Sequence, residues 1–145
     1  MYSIKQIPSS ATFAVRLPVL RPGKPLESCI FDGDDLPSTV HFGIYDAENL
    51  VGIVSVFESG SPLLPQEKQF QLRGMAVLDS YQKKGLGEKL VKAAEEYIVS
   101  QGSEVIWFNA REIAVSFYNK MGYEIIGEPF SIGDIGTHYV MYRLV

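Results

Sequence analysis

Residues 69–102 read QFQLRGMAVLDSYQKKGLGEKLVKAAEEYIVSQG, and the pattern changes period once along the way. In the first part Phe70, Leu72, Ala76 and Leu78 share one face while Gln71, Arg73, Met75 and Val77 share the other. That two-residue alternation is a strand, with Gly74 marking a bulge or a close approach of backbone. From Gly85 onward Leu86, Leu90, Ala93, Ala94 and Tyr97 recur at helical spacing, and Gly102 supplies a stop. Between strand and helix lies the turn Gln82-Lys83-Lys84-Gly85-Leu86-Gly87.

Working outward toward the C-terminus, Val105 to Phe108 is a short apolar run of the kind buried on both faces. Asn109-Ala110-Arg111-Glu112 reads as a capping box that opens a helix carrying Ile113, Ala114, Phe117, Tyr118 and Met121 and halting at Gly122. Two closing strands, Tyr123 to Gly127 and His138 to Leu144, flank a glycine-bearing loop from Ser131 to Gly136. Strand, helix, strand, helix, strand implies a partly parallel sheet with crossover helices. Toward the N-terminus, Thr39 to Tyr45 and Leu50 to Phe57 read as a hairpin across Asp46-Ala47-Glu48-Asn49. Tyr2 to Ile7 reads as a first strand, and Ser9-Ser10 caps a helix from Ala11 to Leu20 that Pro18 would kink or end early. Arg21 to Ser38, rich in Pro, Gly and Asp, reads as a long functional or mobile loop.

With 145 residues, 46% of them hydrophobic, the chain is sized for a single domain over 1–145 with a real core. Thirteen Lys and Arg against seventeen Asp and Glu give a net charge of -4, which disfavours the basic footprint of a nucleic-acid binder. One cysteine, Cys29, cannot form an internal disulfide. The N-terminal residues lack signal-peptide features, and no apolar run approaches the roughly 20 residues that span a bilayer. The expectation is a soluble cytoplasmic protein with neither nucleic acid nor membrane as partner. No Cys/His cluster has zinc spacing, and no Ser-His-Asp or nucleophilic Cys arrangement is present, so neither a metal nor a covalent enzyme intermediate is implied.

The turn at Gln82 to Gly87 carries the strongest chemical signal. Gly85 and Gly87 remove side chains where a phosphate would approach, a helix N-terminus offers unpaired amides, and Lys83 and Lys84 add positive charge. An ordinary strand-to-helix connection uses glycine in the same way, and the turn alone leaves both readings open. Its spacing is too compact for a Walker loop and lacks the first glycine of the dinucleotide fingerprint.

The same residues resemble the Gln/Arg-x-x-Gly-x-Gly/Ala signature of the GNAT N-acetyltransferase superfamily. The likeness extends to Arg73-Gly74-Met75-Ala76-Val77, similar to that family's fourth strand. It extends also to Trp107-Phe108-Asn109-Ala110-Arg111-Glu112 with Ala114, Phe117, Tyr118, Lys120, Gly122 and Tyr123, similar to its strand-helix-turn unit. Residues 127–141 are similar to a small, single-domain bacterial branch of the family. The resemblance implies a mixed α/β (α+β) fold, a strongly twisted central sheet of about six to seven strands flanked by about four helices. It also implies acetyl-CoA bound between the fourth and fifth strands, with the acceptor entering from the opposite side and direct transfer to a primary amine of a small molecule or peptide. A homodimer is allowed for.

Carried over residue by residue, the resemblance gives the pantetheine arm to the backbone of Met75, Ala76 and Val77. The pyrophosphate goes to Gln82, Lys83, Lys84, Gly85, Leu86 and Gly87, with Asn109 on the pantetheine and Phe117 and Tyr118 at the thioester. The chemistry suits these types, since an amine attacking a thioester releases a thiolate that a phenol can serve. Asn109 equally reads as a helix N-cap, and Tyr118 as a core aromatic. A base must take the amine proton; His138 is the first choice among His138, Glu58, His41, Asp79 and Glu128, although strand histidines are more often structural. Arg16, Arg21, Arg73 and His41 are candidate acceptor-binding residues, the arginines suited to a carboxylate or phosphate. The run Asp32, Asp34, Asp35 reads as solvated. A catalytically silent acyl-CoA-binding regulatory module and a nucleotide-binding α/β protein are the rival readings.

Overall fold

A computed structural model describes residues 1–145. Its strands are β1 (Tyr2–Ile7), β2 (Val40–Asp46), β3 (Asn49–Glu58), β4 (Phe70–Val77), β5 (Val105–Arg111), β6 (Glu124–Ile132) and β7 (Gly136–Leu144). The helices are α1 (Ser9–Leu20), α2 (Leu86–Ser100) and α3 (Val115–Lys120), with short 3-10 turns at Leu26–Cys29, Asp79–Tyr81, Glu112–Ala114 and Gly133–Ile135. The strands form one mixed sheet in the order β1-β2-β3-β4-β5-β7-β6. Pairing is antiparallel for β1 with β2, β2 with β3, β5 with β7 and β6 with β7, and parallel for β4 with β5. The parallel ladder is short, matching only Phe70 to Ile106 and Gln71 to Trp107. No helix is long and apolar enough to cross a membrane. The chain divides into two compact units, Met1–Phe57 with Leu72–Tyr97, and Glu58–Gln71 with Ile98–Val145.

In the first unit the expected hairpin forms, with Asp46 facing Asn49 across Ala47-Glu48. A bulge leaves Val51 out of the β2 ladder, and its carbonyl accepts the amide of Leu78 just past β4. Ile7, Val15, Ile53 and Ala76 form the core, covered by Ala11, Val19, Leu20, Tyr45, Leu50 and Leu78. Helix α2 buries Leu86, Leu90, Val91 and Ala94 completely or nearly so, a stripe shifted slightly from the expected one. Gly52 lets it lie close, because a Cβ there would come within 2.8 Å of Ile44 and 3.2 Å of Leu90. Helix α1 departs from expectation at both ends. Pro8, not Ser9-Ser10, is the N-cap residue, and Ser9 instead donates its hydroxyl to Asp35. Pro18 does not end the helix, since only two residues follow it and little of the ladder is lost.

In the second unit Leu64, Val105, Trp107 and Val140 form a core with Ile126, Phe130 and Tyr142. The capping-box reading of Asn109 to Glu112 fails here. Asn109, Ala110 and Arg111 stay in β5, facing Val140, Tyr139 and His138 of β7, so ladder hydrogen bonds outcompete the local helix signal. The helix then begins only at Val115, after a 3-10 turn, and stops before Gly122, which holds φ at 94°. The expected loop from Ser131 to Gly136 is likewise shorter, because β6 runs to Ile132 and pairs it with Gly136.

Candidate active site

The glycine turn of the first unit has the backbone of an anion cradle. Lys83 and Gly85 hold left-handed φ values of 63° and 79°, alternating with right-handed or extended neighbours in the manner of an amide nest. Nothing lies within 4 Å of where a Cβ at Gly85 would stand. The turn leads into the N-terminus of α2, whose first amides lack carbonyl partners one turn back. Leu86, 1% exposed, pins this end to the core, so its contribution to a ligand is through backbone. Gln82 ties the turn to β4, its Nε2 donating to the Val77 carbonyl at 3.0 Å and to Asp79 Oδ1 at 3.2 Å. Tyr81 ties it to the hairpin by donating to Asp46 Oδ2 at 2.6 Å, a bond that raises the phenol's pKa, and Lys84 lies 5.5 Å over the same ring.

Arg16 and His41, two of the candidate acceptor residues, sit in a closed polar network. The Arg16 guanidinium is 0% exposed and donates through Nη1 to Asp34 Oδ2 and the Cys29 carbonyl, both at 2.7 Å. Through Nη2 it donates to Asp34 Oδ1 and Ser55 Oγ, both at 3.0 Å. His41 Nε2 lies 2.9 Å from the Asp34 carbonyl, an acceptor only, and must donate to it; Nδ1 lies 2.7 Å from Ser55 Oγ. Burial pushes the Asp34 carboxyl up, but the hydrogen bonds from Arg16 and the Phe31 amide, with the Arg16 charge, outweigh it and leave the pKa below the ordinary 3.8. Asp34, expected to be solvated, is therefore a core residue, because Arg16 gives it two donors. Arg21 and Arg73 differ from Arg16: both are half-buried and lie against the Phe31 ring, each 5.3 Å from its centroid.

In the second unit, successive β5 residues point to opposite faces. Trp107 joins the core described above, whereas Phe108 meets Tyr118 at 4.2 Å and Tyr123 at 4.9 Å between ring centroids. Phe117 packs edge-on against Tyr118 at 5.0 Å. Tyr118 is half-buried, and burial pushes its phenol up to about 12, so it holds its proton throughout the physiological range. Asn109 is exposed, on the Trp107 side of β5. His138, 5% exposed, packs against Phe130 of that same side, so Tyr118 and His138 occupy opposite faces of the β5-β7 pair. His138 Nδ1 lies 2.9 Å from the Gly136 carbonyl and donates to it, which leaves the lone pair on Nε2. His41 has no such nitrogen to spare.

The sequence profile described as the Acetyltransferase (GNAT) family matches residues 7–123. The chain belongs to the GNAT acetyltransferase family. A Bacillus subtilis (strain 168) protein named "Uncharacterized N-acetyltransferase YitI" is 35% identical over 143 residues, covering 99% of this chain and 96% of the relative. Among solved structures, Ard1 from Thermoplasma volcanium superposes with a TM-score of 0.78 at 19% identity, over 99% of this chain and 97% of that one. An aminoglycoside 6'-N-acetyltransferase complexed with coenzyme A superposes with a TM-score of 0.76 at 16% identity, over 98% of this chain and 96% of its own. As a GNAT member the protein is an acyltransferase with this family's fold.

Within this GNAT chain, sequence reasoning passed over three residues that the structure brings to the site. Tyr81 immediately precedes the signature, and nothing in its spacing announced the bond to Asp46. Ser55 lies in an apolar strand, where a fully buried hydroxyl was itself the signal of a polar partner. Phe31 stood in a loop, yet three arginines gather on its ring.

Proposed function

We propose that the protein transfers the acetyl group of acetyl-CoA directly to a primary amine of a small molecule or peptide. The observation that carries the reading is the Gln82–Gly87 turn, whose left-handed Lys83 and Gly85, open space above Gly85 and helix N-terminus fit a pyrophosphate. A structural relative complexed with coenzyme A supports the same donor. On this reading the amides of Gln82 to Gly87 hold the pyrophosphate, with Lys83 and Lys84 adding charge. Met75, Ala76 and Val77, which lie beyond the short parallel ladder, pair with the pantetheine like an added strand, and Asn109 holds the same arm. Phe117 and Tyr118 serve the thioester end. Acetyl-CoA supplies an activated carbonyl and a thiolate leaving group.

Tyr118 donates a hydrogen bond to the departing sulfur. With its phenol at about 12 against a thiol near 8.5, completed proton transfer runs uphill by about 3.5 pKa units, roughly 5 kcal/mol. Its contribution is therefore a hydrogen bond that strengthens as charge develops, and solvent completes protonation of the thiolate. His138 Nε2 takes the proton from the attacking amine, which approaches from the β5 face opposite Tyr118. Thiol release with acetyl-CoA and an amine panel tests both roles. Tyr118→Phe lowers kcat by about 10- to 1,000-fold, and His138→Gln by about 100-fold or more. Unchanged kcat in either variant, with chemistry rate-limiting, removes that residue from the mechanism.

A further inference from the structure

We infer that the acceptor carries an anionic oxygen group, a carboxylate or a phosphate ester, close to its reactive amine, and that Arg21 and Arg73 hold that group beside the Phe31 ring. Calling the bound molecule an acceptor rests on the acetyl-transfer reading; the anion site rests on the first unit alone.

Three guanidiniums surround Phe31, with Arg16 at 3.9 Å from the ring centroid and Arg21 and Arg73 each at 5.3 Å. Only Arg16 is neutralised, by Asp34. Lys92 pairs with Glu88, and neither Arg21 nor Arg73 has a carboxylate within 4.0 Å. Each uses one donor on a backbone carbonyl, Arg21 on Leu20 at 3.1 Å and Arg73 on Asp32 at 3.4 Å. A guanidinium has five N–H donors, so most of both forks point at no protein acceptor. Of the neighbouring acids, Asp35 accepts from Ser9 and Asp32 contributes its carbonyl to Arg73, and neither makes an ion pair with the two arginines.

That arrangement runs against the composition. With seventeen acidic residues to thirteen basic ones, two neighbouring arginines that make no ion pair stand out in an acidic protein. Planar forks suit carboxylate or phosphate oxygens, and a partly buried setting strengthens the attraction. The site is also placed for the reaction. Gly74 follows Arg73 with φ at 62°, and a Cβ there would stand 2.9 Å from Phe31, so the ring is seated directly against the β4 backbone at Gly74. Arg73 is two residues from Met75, to which the proposed function gives the pantetheine arm of the donor.

The test uses matched pairs: ornithine with putrescine, phenylalanine with phenethylamine, and phosphoethanolamine with ethanolamine. Two readouts are taken on each, binding to the CoA-saturated protein by titration calorimetry and acetyl-CoA-dependent thiol release. The members that carry the anionic group bind more tightly and show kcat/KM at least about tenfold above the counterparts that lack it, and Arg21→Gln and Arg73→Gln each cut that ratio by about tenfold. Whether the carboxylates or the phosphate gain most names the group. Arg73→Lys, which keeps charge without the fork, gives an intermediate ratio, and CoA binding on every variant reports the fold. Equal binding and reaction of members with and without the anionic group, or an unchanged ratio in the double variant, overturns the inference. Preferential anion binding that the variants lose, without thiol release, upholds the anion site and removes acetyl transfer. Thiol release that ignores the anion does the reverse.

Discussion

Lys83 and Gly85 share left-handed backbone, but only glycine is at ease there. At Gly85 an added Cβ would meet no protein atom, so Gly85→Ala separates folding from binding. Unfolding experiments should show a loss of about 1–2 kcal/mol from backbone strain alone, while the KM for acetyl-CoA rises by tenfold or more because the methyl stands where the phosphate belongs. The Arg16–Asp34 pair obeys a different balance. Asp34→Asn leaves a fully buried guanidinium without its counter-charge, at a loss of about 3–5 kcal/mol in urea unfolding. Because the folded-state pKa of Asp34 is depressed, its contribution is present above the ordinary 3.8 and is lost as pH falls through the lower folded value. The wild type therefore has an acid limb of stability that the variant lacks.

At the scale of elements, hydrophobic period was enough wherever the chain had room to display it. β4, α2 and the β2-β3 hairpin lie within a residue or so of where alternation and helical spacing put them. The failures share a cause. Asn109 to Glu112 carries a sound local signal for a helix start, yet β7 offers Val105 through Arg111 seven antiparallel partners, Leu144 back to His138, and the ladder wins. Asp34 read as solvated because its partner is eighteen positions away in α1, a separation that no local pattern reports. The glycine turn was legible as an element since it consists of contiguous backbone; the Phe31 cluster was not, since it is assembled from α1, a loop and β4. Close packing of α2 on β3 is also an element-scale property. Gly52→Ala would drive a methyl into Ile44 and Leu90, and chemical denaturation should register a loss of about 1–3 kcal/mol.

For the molecule as a whole, a sequence with a net charge of -4 places the left-handed Lys83 and Gly85 and the half-buried Arg21 and Arg73 in the first compact unit. Membership of the GNAT family fixes the reaction class; on the proposed function the turn holds the donor, His138 is the base, and the acceptor is left to be named by its charge. The most direct measurement is the yield of free CoA and of N-acetylated product from the purified protein with acetyl-CoA and the amine panel. Equal amounts of the two, formed only when an amine is present, are the predicted result. Tight binding of acetyl-CoA with no acceptor-dependent release of thiol would contradict it and leave a silent acyl-CoA-binding module.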